Sequence, residues 1–167
     1  MDIAFIGLGS NLSDPCRQLQ SALRALDALA GTRLLRHSSL YRSAPWGERE
    51  QPDFVNAVAM LETTLTPREL LDALLGIERL AGRVRDGTRW GPRVLDLDIL
   101  LYGDRVLNES GLHVPHPHLA ERAFVLLPLA EVAPDLQVPG VGQVATLLRR
   151  VDVAGCVVLE PDPMLVE

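Results

Sequence analysis

The sequence predicts an α+β sandwich with helices packed on one face of a mainly antiparallel sheet. Three observations predict it. The elements follow one another as strand, helix, strand, strand, helix, strand; both helices carry start and stop signals; and 167 residues, 47% apolar and 23% charged, are ordinary for one globular domain. A single domain over 1–167 is therefore expected.

Asp2 to Gly9 reads as a buried strand, with Ile3, Phe5 and Leu8 among small residues, and Gly9-Ser10-Asn11 turns the chain. Asp14 is the expected N-cap of a helix with Pro15 at its first position. Apolar residues at 19, 22, 23, 26 and 29 carry that helix to Gly31 as its stop. Arg33 to Arg42 reads as extended, and a loop with Pro45, Trp46, Gly47 and Pro52 leads into a strand from Phe54 to Thr64. Thr66-Pro67-Arg68-Glu69 is a capping box, in which the Thr66 hydroxyl accepts the Glu69 amide and Glu69 reaches back. Leu70, Leu71, Leu74 and Ile77, with Leu80 a further candidate, form the expected buried stripe of the helix that follows, and Gly82 ends it. Val94 to Tyr102 alternates as a strand, and Gly103-Asp104 predicts a hairpin turn into Arg105-Val106-Leu107. The prolines of residues 113–118 argue against regular structure there. Leu119 to Val132 reads as partly helical, with a short helix at 144–151 and a strand at 156–159.

Composition excludes several chemistries. All 16 basic residues are arginine, so no lysine is present for a Schiff base or a P-loop. The net charge of −6 argues against nucleic acid as a partner. No apolar run approaches the length of a membrane span; the best, Phe124 to Ala130, contains Pro128. Met-Asp-Ile lacks the basic flank of a signal peptide, and Cys16 and Cys156 define neither a disulfide framework nor a zinc pattern. A cytoplasmic monomer is expected. Locally the charge reverses: between Arg79 and Arg93 five arginines (79, 83, 85, 89, 93) face one Asp86, which suits a compact anion.

Asp96 and Asp98, two apart on a strand, project from one face while Leu95, Leu97 and Ile99 point the other way. Taken alone, this pair reads first as the wet face of an amphipathic strand. The arginine loop that runs directly into it changes the balance, because a dicarboxylate beside guanidinium groups can hold a metal–polyphosphate. For Arg83 and Arg93 the phosphate reading is favoured; Arg79 reads better as a cap on the preceding helix dipole. Asn56, inside the apolar run Val55-Asn56-Ala57, needs polar partners if buried. Phe54 and Phe124 read equally as core or as a stacking pair for a flat ligand. His113, His116 and His118 lack a fourth ligand at zinc-like spacing.

The stretch from Arg89 to Leu100, Arg-Trp-Gly-Pro-Arg-Val-Leu-Asp-Leu-Asp-Ile-Leu, resembles the signature of the 6-hydroxymethyl-7,8-dihydropterin pyrophosphokinase family. The resemblance extends to Gly9-Ser10-Asn11-Leu12, to 41–45, to Gln51 through Ala57, to Glu78 with 82–85, and to 114–118 and 122–126, so it covers about residues 3 to 134. It implies a ferredoxin-like sandwich that moves pyrophosphate from ATP to the pterin's hydroxymethyl oxygen, releasing AMP, in folate biosynthesis. Asp96 and Asp98 would hold two magnesium ions, with Asp98 also a proton acceptor. Arg83 and Arg93 would contact phosphates, with Arg85 and Trp90 in a mobile lid. His116 and Arg122 would hold the nucleotide. Glu78 would be an adenine-side or supporting helper, or else a surface helix glutamate. Asn56 would read the pterin edge, the ring lying between Phe54 and Phe124, with further hydrogen bonds from around Ser43, Ala44 and Trp46. One departure stands out: Leu74, Leu75 and Gly76 offer no polar side chain to an adenine. Two other classes stay open on the residues alone. One is a nucleotidyltransferase, although Ser10 and Asp96 lie 86 positions apart; the other is a ligand-sensing domain on the same architecture.

Overall fold

The computed structural model describes residues 1–12, 14–44, 52–82 and 94–159. Strands β1 (Asp2–Ser10), β2 (Thr32–His37), β3 (Tyr41–Ser43), β4 (Phe54–Thr63), β5 (Asp96–Tyr102) and β10 (Cys156–Val158) form one sheet. Its order is β10-β3-β4-β1-β5, with β2 pairing the far half of β4, and every pairing is antiparallel. Two short hairpins, β6 (Leu107–Glu109) with β7 (Leu112–Val114) and β8 (Gln137–Val138) with β9 (Gly142–Gln143), stand apart from it. The helices are α1 (Pro15–Asp27), α2 (Pro67–Leu80), α3 (Ala123–Val132) and α4 (Val144–Leu148).

Period-two alternation divides the buried side chains into two cores. Ala4, Ile6 and Leu8 of β1 and Ala57, Ala59 and Leu61 of β4 pack with Leu19, Leu23 and Leu26 of α1 and Leu70, Leu74 and Ile77 of α2. Phe5 and Val58 turn to the other face and join Leu126 and Leu129 of α3 and Val144 and Leu147 of α4. The mixed helix and antiparallel-sheet class is thus as predicted. Helices on one face holds for α1 and α2, whereas α3 and α4 cover part of the opposite face. Mean hydropathy along α3 has little helical periodicity to announce this, because Leu126, Pro128 and Leu129 are all buried.

Several local expectations need correction. Asp14 does not cap α1 with its side chain: its φ of 61° turns it away, and its carboxylate pairs with Arg17 at 3.4 Å. The helix ends at Asp27, and Gly31 (φ +64°) instead makes the turn into β2, where a Cβ would meet Thr64 Oγ1. The extended run 33–42 breaks at Ser38, whose amide and hydroxyl are engaged with Val58 O and Ser39 O. The chain after Gly103 does not fold back on β5; Leu107 pairs with Val114, so His113 and Val114 belong to a strand despite the neighbouring prolines. The capping box at Thr66 is complete in both directions, at 3.1 and 2.9 Å.

Candidate functional site

On the face that Phe5 and Val58 share, β1 next presents Gly7 and Gly9, while β4 presents Asn56. On β5, Leu97 and Ile99 go into the first core, so Asp96 and Asp98 face the same side as the glycines. Register then aligns four strands. Tyr41 lies opposite Asn56, Asn56 opposite Gly9 and Gly9 opposite Asp96; one step along, Val58, Gly7 and Asp98 align. Asn56 and Asp96 are therefore two strand spacings apart, about 10 Å. Between them the floor is bare glycine backbone.

At one end of this trough Ser43 Oγ donates to Asn56 Oδ1 at 3.0 Å, and both residues are buried. A Cβ on Gly9 would stand 2.9 Å from Asn56 Nδ2, so the amide leans over the glycine. Ala44 is exposed beside Ser43, and Phe54 is half-buried at the start of β4. Asn11, buried, donates from Nδ2 to Pro52 O at 3.0 Å and ties the end of β1 to the approach of β4. At the other end Asp96 is half-buried and Asp98 exposed.

Glu78 is not a surface glutamate. It is 2% exposed, and its Oε2 accepts the backbone N–H of Leu97 at 2.7 Å, between the two aspartates.

The segment after the cis Val114–Pro115 bond supplies the histidine. His116 N–H donates to Leu100 O at 3.0 Å, and its Nδ1 accepts from the His118 amide at 3.2 Å. Burial, then the charge of Arg122 and the neighbouring His118 and His113, lower its pKa to about 4. His116 is therefore neutral near pH 7, with its proton on Nε2. Arg122, at the start of α3, holds its guanidinium carbon 5.5 Å from the Phe124 ring centroid, a cation–π contact. The residue expected on the nucleotide and the one expected on the pterin thus touch. Phe124 also packs against the second core, which is the first of its two sequence readings.

The expected residues Ser43, Phe54, Asn56, Asp96 and Asp98 fall on one sheet face, with Phe124 on a helix above it. Trp46, Arg83, Arg85, Trp90 and Arg93 lie outside the described residues. Sequence reasoning missed Glu131 on α3, which accepts from Ser39 and Tyr41. It also gave Gly7 no role and read Gly9 as part of a turn and not as sheet floor, although glycine at alternate positions of a buried strand was the available signal. Among the described residues no three His, Cys, Asp or Glu gather to cage a metal. The two aspartates alone suit magnesium, a hard cation that shares its shell with waters and phosphate oxygens. No described helix is long and apolar enough to cross a membrane.

The chain is thus an α+β sandwich whose one sheet face carries a carboxylate pair and an oriented amide, with a neutral histidine tied to β5. Residues 5–134 match the model of the 7,8-dihydro-6-hydroxymethylpterin-pyrophosphokinase family, and the chain belongs to that family. The 2-amino-4-hydroxy-6-hydroxymethyldihydropteridine pyrophosphokinase of Pseudomonas aeruginosa is 56% identical over 135 residues, 81% of this chain and 83% of that one. Its counterpart from Haemophilus influenzae is 48% identical over 150 residues, 90% of this chain and 93% of the other. Among solved structures, the wild-type HPPK-DHPS protein of Plasmodium falciparum superposes with a TM-score of 0.71 at 15% identity, a likeness of fold. It covers 89% of this chain, which spans 44% of the length of that larger protein.

Proposed function

We propose that the chain transfers the pyrophosphoryl group of ATP to the hydroxymethyl oxygen of 6-hydroxymethyl-7,8-dihydropterin, giving AMP and the pterin diphosphate. The family supports the reaction; one observation supports the site. The row Asn56–Gly9–Asp96 leaves a floor about 10 Å long between an oriented amide and a carboxylate, about the length of a bicyclic ring with a one-carbon arm.

Asn56, its oxygen engaged by Ser43, offers Nδ2 to an acceptor on the pterin edge, with Ala44 and Trp46 adding contacts and Phe54 and Phe124 stacking on the ring. The hydroxymethyl group then reaches the aspartates. Its oxygen bonds to the β-phosphorus, the bond from that phosphorus to the α–β bridging oxygen breaks, and AMP departs with that oxygen. The exposed carboxylate of Asp98 takes the hydroxyl proton. Asp96 and Asp98 are proposed to hold two magnesium ions, which when bound would neutralise phosphate charge and acidify the hydroxyl. His116 presents Nε2–H and Arg122 a permanent cation to the nucleotide. Arg83 and Arg93 are proposed on the phosphates, with Arg85 and Trp90 in a lid that excludes water. The same reading takes the chain as a cytoplasmic monomer working on small molecules.

A coupled assay of AMP formation tests this. AMP should appear only with ATP, magnesium and the hydroxymethylpterin together. Release of pyrophosphate, or of phosphate without the pterin, would reject it in favour of a nucleotidyltransferase or a hydrolase.

A further inference from the structure

Glu78 stands where a carboxylate is disfavoured twice. It lies in the last turn of α2, where the helix dipole opposes negative charge, and it is 2% exposed. Its Oε2 takes the Leu97 amide at 2.7 Å, a short, charge-assisted bond. Leu97 is the one residue between Asp96 and Asp98, on a strand with no described neighbour on its outer side. In an antiparallel pair, alternate N–H groups of such an edge strand point away from the partner. The Leu97 N–H is one of these. Among the described residues, it is α2 that supplies an acceptor on that side of β5.

The geometry points to Glu78 as a positioning residue for the aspartate pair. By anchoring the Leu97 amide it fixes the pleat that sends both carboxylates to one face. The hydrogen bond stands on its own, while the ligand served by the pair rests on the proposed function.

Two conservative variants separate reach from charge. Glu78→Asp keeps the charge but shortens the side chain by one methylene; Glu78→Gln keeps the reach and an acceptor oxygen. Binding of magnesium with a non-hydrolysable ATP analogue is measured by calorimetry, beside binding of the pterin alone. The Asp variant should bind the magnesium–nucleotide about tenfold more weakly with pterin affinity unchanged, and the Gln variant should recover most of the loss. Equal loss for both ligands in the Asp variant, or no loss, overturns the assignment. Amide exchange of Leu97 in the unmodified protein is the second measurement. Protection matching the inner strands supports the bond to Glu78, and exchange as fast as a solvent-facing edge amide overturns it. An unmodified protein that binds no magnesium–nucleotide sinks the proposed function instead, and Leu97 exchange still decides the role of Glu78.

Discussion

The Ser43 hydroxyl donates to the Asn56 side-chain oxygen at 3.0 Å, across the β3–β4 pairing, with both residues buried. Serine has one hydroxyl proton and spends it here, so the amide of Asn56 is oriented with its nitrogen over Gly9. An amide whose orientation is set before the ligand arrives loses less freedom on binding.

Replacing Gly9 tests that orientation. A methyl group there would stand 2.9 Å from Asn56 Nδ2, closer than real Cβ contacts allow, and the end of a flexible side chain gives way before the sheet does. Gly9→Ala should therefore fold, raise KM for the pterin by about tenfold and leave KM for ATP within about twofold. Steady-state kinetics with each substrate varied in turn checks this; equal shifts in both constants would contradict it.

Asp98 is exposed, and Gly7 lies opposite it on the neighbouring strand, so its removal opens no cavity. Asp98→Ala should keep the melting temperature of the parent within a few degrees, on the order of the effect of a neutral surface substitution. Turnover should fall by about a hundredfold or more, as expected when a metal-binding, proton-accepting carboxylate is lost. Turnover within about tenfold of the parent would remove Asp98 from the chemistry.

What could be read in the sequence was what local periodicity encodes. The capping box at Thr66 and Glu69, the buried stripe of α2 as far as Ile77 and the common face of Asp96 and Asp98 depend on neighbours within four positions, and the structure shows all three, whereas Leu80, a candidate for that stripe, is 92% exposed. The Asp14 cap failed because a positive φ is set by how the chain leaves β1, which helix-start statistics do not see. The exposed-or-supporting ambiguity of Glu78 could not be resolved locally, since only the approach of β5, 19 positions later, buries it. The covering of the second sheet face was hidden for a related reason. α3 is apolar nearly all round, so no polar stripe announces which side it turns to the sheet.

His116 gives stability a sign with pH. Unfolded, it titrates near 6.5; folded, burial and the Arg122 charge lower it to about 4. As pH falls the unfolded chain takes the proton first, so the contribution of neutral His116 is complete above about 6.5 and is lost as pH falls towards 4. Urea unfolding at pH 7, 6, 5 and 4.5 should show midpoints declining across this window. His116→Gln, which titrates in neither state, should show a shallower decline. Parallel profiles for the two proteins would assign the acid sensitivity to other groups.

Glu131 is a carboxylate in the last turn of α3. Its oxygens accept the Ser39 amide at 3.1 and 3.0 Å, the Ser39 hydroxyl at 3.0 Å and the Tyr41 hydroxyl at 2.6 Å. One helical position later, Val132 O accepts from Arg36 Nη1 at 3.2 Å. These bonds join the helix that carries Phe124 to the strand that carries Ser43, and so help fix the separation of the two walls proposed to hold the pterin. Because the Tyr41 hydroxyl is both partly buried and bonded to a carboxylate, its pKa is raised above the ordinary phenol range, with burial the larger cause. Glu131→Ala should lower the stability of the fold by about 1–3 kcal/mol in urea unfolding, the range for losing a charged acceptor with several donors. It should also bring Tyr41 part of the way back towards the ordinary value in an ultraviolet phenolate titration, because burial persists while the carboxylate is gone. A variant with an unchanged Tyr41 titration would show that the carboxylate does not hold the hydroxyl in solution. Unchanged stability with a shifted titration would show that the bond forms but does not anchor α3.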